Sequence, residues 1–94
     1  MPYIAKQIRP SYDPLILELL EELEHREFRS GDLNYVISRI VWRVFDLNPR
    51  YATGNNLMGI LDCVKQEFYR RKLAPYEDSA IQKNGDINEP PADK

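Results

Sequence analysis

Leu33-Asn34-Tyr35-Val36-Ile37-Ser38-Arg39-Ile40-Val41-Trp42-Arg43-Val44-Phe45-Asp46-Leu47 is dominated by apolar side chains. Leu33, Val36, Ile37, Ile40, Val41, Val44 and Leu47 recur at intervals of three and four, the period of an α-helix. Tyr35, Trp42 and Phe45 add aromatic mass elsewhere around the same cylinder. Only Arg39, Arg43 and Asp46 form a polar strip, with Asn34 and Ser38 a second, narrow one. The β-branched residues permit a strand, but the run is too long for one and its period is not two. A helix this apolar must be covered on most sides. In a chain of 94 residues two neighbouring helices leave part of it bare, so a homodimer contact through Trp42 or Phe45 is inferred. Asp32 is expected to cap this helix, and Asn48-Pro49 to end it near Leu47.

The flanking segments also read as helices. Upstream, Asp13 is placed as N-cap with Pro14 at the first helical position, where its missing donor does no harm. Leu15, Ile16, Leu19, Leu20 and Leu23 then make a stripe expected to be buried. That helix should run to about Glu27 or Phe28 and stop before Gly31. Downstream, Asn48-Pro49 leads into a short turn through Tyr51, and Thr53 or Asn55 offers a cap for a third helix. Leu57, Ile60, Leu61, Val64 and Phe68 form its narrow apolar stripe. Ala74-Pro75 should break it, and Pro75 begins a last short helix over 76–83, closed by Asn84-Gly85 in the left-handed conformation. The fold class is therefore all-α: a small bundle of three main helices plus a short C-terminal one. Residues 1–87 form one helical domain. Residues 88–94 have nothing to bury and are expected to be a flexible tail.

Composition narrows the function. The chain is 43% hydrophobic and 30% charged, which suits a globular domain rather than a disordered one. Thirteen basic against fifteen acidic side chains leave a net charge of −2, too little positive charge for a dedicated nucleic-acid clamp. The charges alternate by segment: residues 13–28 sum to −5 and residues 29–50 to +2. Neighbouring elements should therefore attract one another. One cysteine provides no disulfide framework and no multi-cysteine zinc cage. No apolar stretch reaches the roughly 18 residues of a membrane span, and residues 1–10 lack a signal-peptide core. A soluble, cytoplasmic protein is expected, without membrane association.

Few residues form a chemical constellation. His25 and Cys63 stand alone, with no HExxH or CxxC spacing, and read as a half-exposed helix residue among glutamates and a small packing residue. Glu18-x-x-Glu21 projects from one side of the first helix, with Glu22 and Asp32 near in sequence. Clustered helix carboxylates hold Mg²⁺ beside a nucleotide phosphate in all-α nucleotide pyrophosphatases. The second half of that pattern fails, because Arg29 stands where a ligand belongs. Ion pairing of the glutamates with Arg39 and Arg43 is the simpler account. Arg70, Arg71 and Lys72, with Tyr69 and Tyr76 nearby, sit where cations favour a helix C-terminus, and make a weak nucleic-acid footprint. Asn34 and Tyr76 lie beside helix ends without serving as caps.

Gly31-Asp32-Leu33-Asn34-Tyr35, Cys63-Val64-Lys65-Gln66-Glu67-Phe68-Tyr69-Arg70-Arg71, Pro75-Tyr76-Glu77-Asp78 and Asn84-Gly85-Asp86 occur in that order. Together with Met1-Pro2-Tyr3-Ile4 they resemble a family of small proteins of unknown function from bacteria, archaea and their phages. The likeness covers roughly residues 1–87. It implies a compact helical module and no established activity. It points to Asp32, Asn34, Tyr35, Glu67, Tyr76, Glu77, Asn84 and Asp86 as the positions to inspect.

The expectation is a non-enzymatic protein-interaction module whose partner is a second copy or another protein. Binding is assigned to Asp32, Asn34, Tyr35, Tyr76, Glu77 and Asp86, and the interface to Trp42 and Phe45. No cofactor is expected on this reading. The alternative is a divalent-metal-dependent nucleotide or phosphoester hydrolase using Glu18, Glu21, Glu22 and Asp32 with Mg²⁺. Weak nucleic-acid binding through Arg70, Arg71 and Lys72 is a third.

Overall fold

The computed structural model describes residues 1–89, which are all-α, with no strand among them. Four α-helical segments follow in order: α1 (Asp13–His25), α2 (Ser30–Leu47), α3 (Tyr51–Phe68) and α4 (Ala74–Asn84). The chain divides into two units, Met1–Ile60 and a second that begins at Leu61. None of the helices among the described residues is long and apolar enough to cross a membrane.

In the first unit, a 3₁₀ turn (Arg9–Ser11) leads directly into α1. Tyr12 already has helical dihedrals, and its carbonyl accepts the Ile16 amide at 3.0 Å. The chain thus enters α1 with no extended residue from which a side chain could reach back. Asp13 accordingly does not cap. It occupies the first turn, where its charge complements the helix dipole, and Pro14 follows it at a position needing no donor.

α1 ends earlier than Glu27. The Phe28 amide donates to the Leu23 carbonyl at 2.8 Å and the Glu27 amide to the Glu24 carbonyl at 2.9 Å. This pair of bonds is the Schellman arrangement, with Glu27 in the left-handed position usually taken by glycine. Glu27 has φ 64° and Phe28 φ 51°. Two left-handed residues reverse the chain quickly, and Arg29 is extended at φ −62°, ψ 137°. α2 therefore starts at Ser30, with the Leu33 amide bonded to the Arg29 carbonyl at 3.1 Å. Asp32 lies inside the first turn and does not cap.

α2 ends at Leu47 as its sequence indicates. The Asn48–Pro49 reversal is tighter than expected: the Arg50 amide donates to the Asn48 carbonyl at 2.8 Å and the Gly54 amide to the Arg50 carbonyl at 3.1 Å. Tyr51 thus opens α3, and neither Thr53 nor Asn55 begins it. Where α2 meets α3, the Phe45 ring lies 3.4 Å from the point a Cβ on Gly54 would occupy.

Burial is sparse. Leu23, 6% exposed, and Leu57, 9% exposed, are the buried hydrophobic residues among those described. The rest of the α1 stripe departs from expectation: Leu15 is 64% exposed, and Ile16, Leu19 and Leu20 are also exposed. On α2, Leu33, Ile37, Ile40, Val44 and Leu47 are exposed as well, while Val36 and Val41 are half-buried. The helical period of these stripes is as read from the sequence. Their burial depends on an opposing surface, which periodicity alone does not supply.

In the second unit, Ala74-Pro75 does not break the helix. Residues Tyr69–Leu73 form a π turn that joins α3 to α4 in one 34-residue helical run. The Ala74 amide bonds to the Tyr69 carbonyl, one residue further back than in an α-helix. Proline has no amide hydrogen and its ring crowds the carbonyl four residues earlier. The wider turn accommodates both problems while the helix continues. α4 ends at Asn84, where the Gly85 amide still donates to the Ile81 carbonyl at 2.8 Å. Gly85 takes the expected positive φ, 90°, but with ψ 155°, a region open essentially to glycine alone. Asn84 itself stays helical. Of the expected 88–94 tail, Asn88 and Glu89 lie in a turn after α4, and residues 90–94 lie outside the described residues.

Candidate functional site

Glu77, Ile81 and Asn84 recur at spacings of four and three, which places them on one face of α4. With Tyr69, Asp78 and Asp86 they line a depression of about 480 Å³ in the second unit. Ala74, Ala80, Gly85 and Ile87 complete its walls. The Tyr69 hydroxyl donates to Glu77 Oε1 at 2.7 Å. Hydrogen bonding to the Glu77 carboxylate, then its charge, holds the Tyr69 phenol above its ordinary pKa. Asp86 accepts the Ile87 amide through Oδ1 at 2.6 Å. Three carboxylates, an amide and a phenol give this depression the chemistry to accept hydrogen bonds and positive charge.

Of the positions singled out in the sequence, Glu77, Asn84 and Asp86 are thus brought together. Tyr76 is not: it is largely exposed and does not line the depression. Sequence reasoning did not assign Tyr69 to this group. Its eight-residue spacing from Glu77 is off-register on a regular helix and becomes aligned only through the π turn.

In the first unit, Asp32, Asn34 and Tyr35 each engage a neighbour close in sequence. Asp32 receives Arg26 Nε at 2.6 Å and Nη2 at 3.4 Å. This bond, more than the charge alone, holds the Asp32 carboxyl below its ordinary range and raises the Arg26 guanidinium. Ser38 Oγ donates to Asn34 Oδ1 at 3.2 Å. Arg39 Nη1 donates to the Tyr35 hydroxyl at 3.1 Å, with the guanidinium carbon 5.8 Å from the ring centroid. The last two pairs join residues one helical turn apart.

Tyr35, Ser38, Arg39, Trp42, Arg43 and Asp46 line a second depression, of about 400 Å³, confined to one face of α2. Trp42 is 67% exposed there. Phe45, the other residue assigned to an interface, points to Gly54 of α3.

Glu18, Glu21 and Glu22 are exposed on α1, and Asp32 is engaged by Arg26. No group of three or more His, Cys, Asp or Glu side chains is placed to share a metal ion among the described residues. The expected pairing of the α1 glutamates with Arg39 and Arg43 does not form among the described residues; Arg39 turns to Tyr35 instead. Cys63 is a free, exposed thiol. In the basic cluster, Arg70 pairs with Glu67 at 2.5 Å.

A family model, Domain of unknown function (DUF6899), matches residues 1–87. The chain belongs to this family. The DUF6899 match takes in both candidate regions, the α2 face and the depression beside α4. No curated protein and no solved structure matches the chain.

Proposed function

We propose that this DUF6899 chain is a non-enzymatic protein-interaction module that self-associates in the cytoplasm. The observation that carries this reading is the exposure of apolar helix faces. Leu15, Ile16 and Leu20 on α1, and Ile37, Ile40 and Trp42 on α2, are all exposed, while the buried hydrophobic residues among those described are Leu23 and Leu57. Each large apolar side chain that moves from water into an interface contributes roughly 1.5–3 kcal/mol. A second protein surface is the cover that helical stripes of this length fit best. The free thiol of Cys63 suits a reducing compartment. The ordered segments from Gly31-Asp32-Leu33-Asn34-Tyr35 to Asn84-Gly85-Asp86, all inside the matched range, are read as the family's marks.

The test is sedimentation or light scattering of the full chain from 1 to 100 µM (concentrations on the order that weak dimers need). A dimer or higher oligomer whose population rises with concentration is expected. A cooperatively folded monomer across the whole range overturns the self-association.

A further inference from the structure

The α2 strip of Tyr35, Arg39, Trp42, Arg43 and Asp46 carries charges that match a second copy of itself. Arg39 and Asp46 are seven residues apart, so they stand about 10 Å apart along the helix and about 20° apart around it. They share one face yet cannot touch each other. Among the described residues Asp46 has no cation at ion-pairing distance. Arg39 is steadied by the Tyr35 hydroxyl and ring, and keeps further guanidinium donors for another acceptor. Between them stands Trp42, two-thirds exposed.

We propose that this strip is an isologous dimer surface, in which α2 packs antiparallel against α2 of a second copy. A two-fold contact requires that if one residue meets a second, the second meets the first. With the axis crossing between Trp42 and Arg43, Arg39 falls opposite Asp46 of the second copy, and Asp46 opposite its Arg39. Two charge-assisted bonds form from one kind of pair. Trp42 lies to one side of the strip and meets Trp42 of the second copy near the axis, where aromatic anchors contribute most. Arg43 lies on the other side, at the rim, where both guanidinium groups reach water. A parallel pairing would set Arg39 against Arg39 and Asp46 against Asp46, so the charges also select the antiparallel direction.

The inference rests on the self-association proposed above, and charge exchange separates the two. In an Arg39→Asp homodimer both contacts set one carboxylate against another. In an Asp46→Arg homodimer both set one guanidinium against another. Each single variant should dimerise about tenfold more weakly than the unmodified chain. A heterodimer of the two variants sets like charges together at neither contact: one contact pairs the two introduced side chains, opposite in sign, and the other pairs the two native ones. Mixing the variants should therefore restore close to the original affinity. The double variant Arg39→Asp/Asp46→Arg should also recover. Both positions are exposed, and recovery on mixing would show that the single variants are folded. Trp42→Ala should weaken every combination. A dimer that both single variants leave unchanged overturns this surface while sparing self-association. So does a weakened dimer that mixing fails to restore. An unmodified chain that is monomeric to 100 µM, about where weak dimers saturate, overturns both.

Discussion

The Tyr69 hydroxyl reaches the Glu77 carboxylate at 2.7 Å across the π turn that carries the helix past Pro75. On a regular α-helix, residues eight apart stand about 80° apart around the axis. The wider turn takes up that difference, so the feature that accommodates a proline also aligns a phenol with a carboxylate. The same alignment closes one side of the depression that holds Asp78, Asn84 and Asp86. Local backbone chemistry and the candidate site are therefore one construction.

Tyr69 should titrate late. Its pKa is raised above the usual 10.0, first through the hydrogen bond to Glu77. The fold favours the neutral phenol, so this bond's contribution is whole below pH 10.0 and is lost as pH rises through the raised value. The tyrosinate absorbance of the chain minus that of Tyr69→Phe isolates this group. Its midpoint should lie above the ordinary tyrosine value and fall back in Glu77→Gln; an unmoved midpoint would contradict the bond.

Pro75→Ala should have the same spectroscopic effect without touching either partner. Removing the ring lets the Ala74 amide and its neighbours return to ordinary α-helical bonding. The helix rewinds and carries Tyr69 away from Glu77. The Tyr69 midpoint should then drop toward its usual value while helix content by circular dichroism holds or rises. Retention of the raised midpoint would mean that the π turn does not depend on proline.

Glu27 sits in the left-handed region at φ 64°, closing α1 in a position made for glycine. A non-glycine residue there is disfavoured by about 1–2 kcal/mol. Glu27→Gly should raise stability by about 1 kcal/mol, or about 4–8 °C in Tm for a domain of this size. Glu27→Val should lower it, since a β-branched side chain fits that region worst. Thermal melting of both variants checks the sign.

The course of α2 was legible because Asn48-Pro49 stops it and its apolar residues keep a helical period along its length. Its start was not, because Asp32 looks like a cap while Glu27 and Phe28, ordinary helix residues by type, make the actual reversal. Asp13 misleads in the same way: the 3₁₀ turn before it supplies helical carbonyls that no side-chain pattern announces. Ala74-Pro75 reads as a break because proline rules assume α-helical hydrogen bonding on both sides, and a π turn relaxes that assumption. In the candidate site, Glu77, Asn84 and Asp86 were visible as polar residues at the two ends of α4. Tyr69 was hidden by a spacing that fits only the widened helix. Exposure of Leu15 and Ile16 was hidden too, since a stripe records which side is apolar and not what meets it.

Gly54 tests the contact between α2 and α3. A Cβ there would stand 3.4 Å from the Phe45 ring, at ordinary van der Waals distance. Gly54→Ala should therefore stabilise by about 0.5–1 kcal/mol, because alanine is the better helix former and the methyl group meets the ring without displacing it. Gly54→Leu sets a larger side chain beside Phe45, the neighbour nearest the new Cβ, and should be less stable than Gly54→Ala by about 1 kcal/mol. The leucine penalty should shrink in a Phe45→Ala background while the alanine gain, a backbone effect, largely persists, which a thermal double-mutant cycle reads directly. An unchanged leucine penalty would show that the ring and Gly54 do not communicate.

Asp32 should titrate early. The Arg26 guanidinium holds its carboxyl below the ordinary 3.8, by hydrogen bonding more than by charge. A lowered folded-state value means the ionised form is favoured, so the contribution of this pair is complete above pH 3.8 and is lost as pH falls through the lowered midpoint. Both side chains reach solvent, so the interaction should also weaken with added salt. Carboxyl NMR of Asp32 should give a midpoint below 3.8 in the unmodified chain and a higher one in Arg26→Gln. The variant keeps the Schellman bonds of Glu27 and Phe28, so α1 should still end at the same place. A midpoint unchanged by Arg26→Gln would remove the pair as the cause and leave the first turn of α2 as the source of the shift.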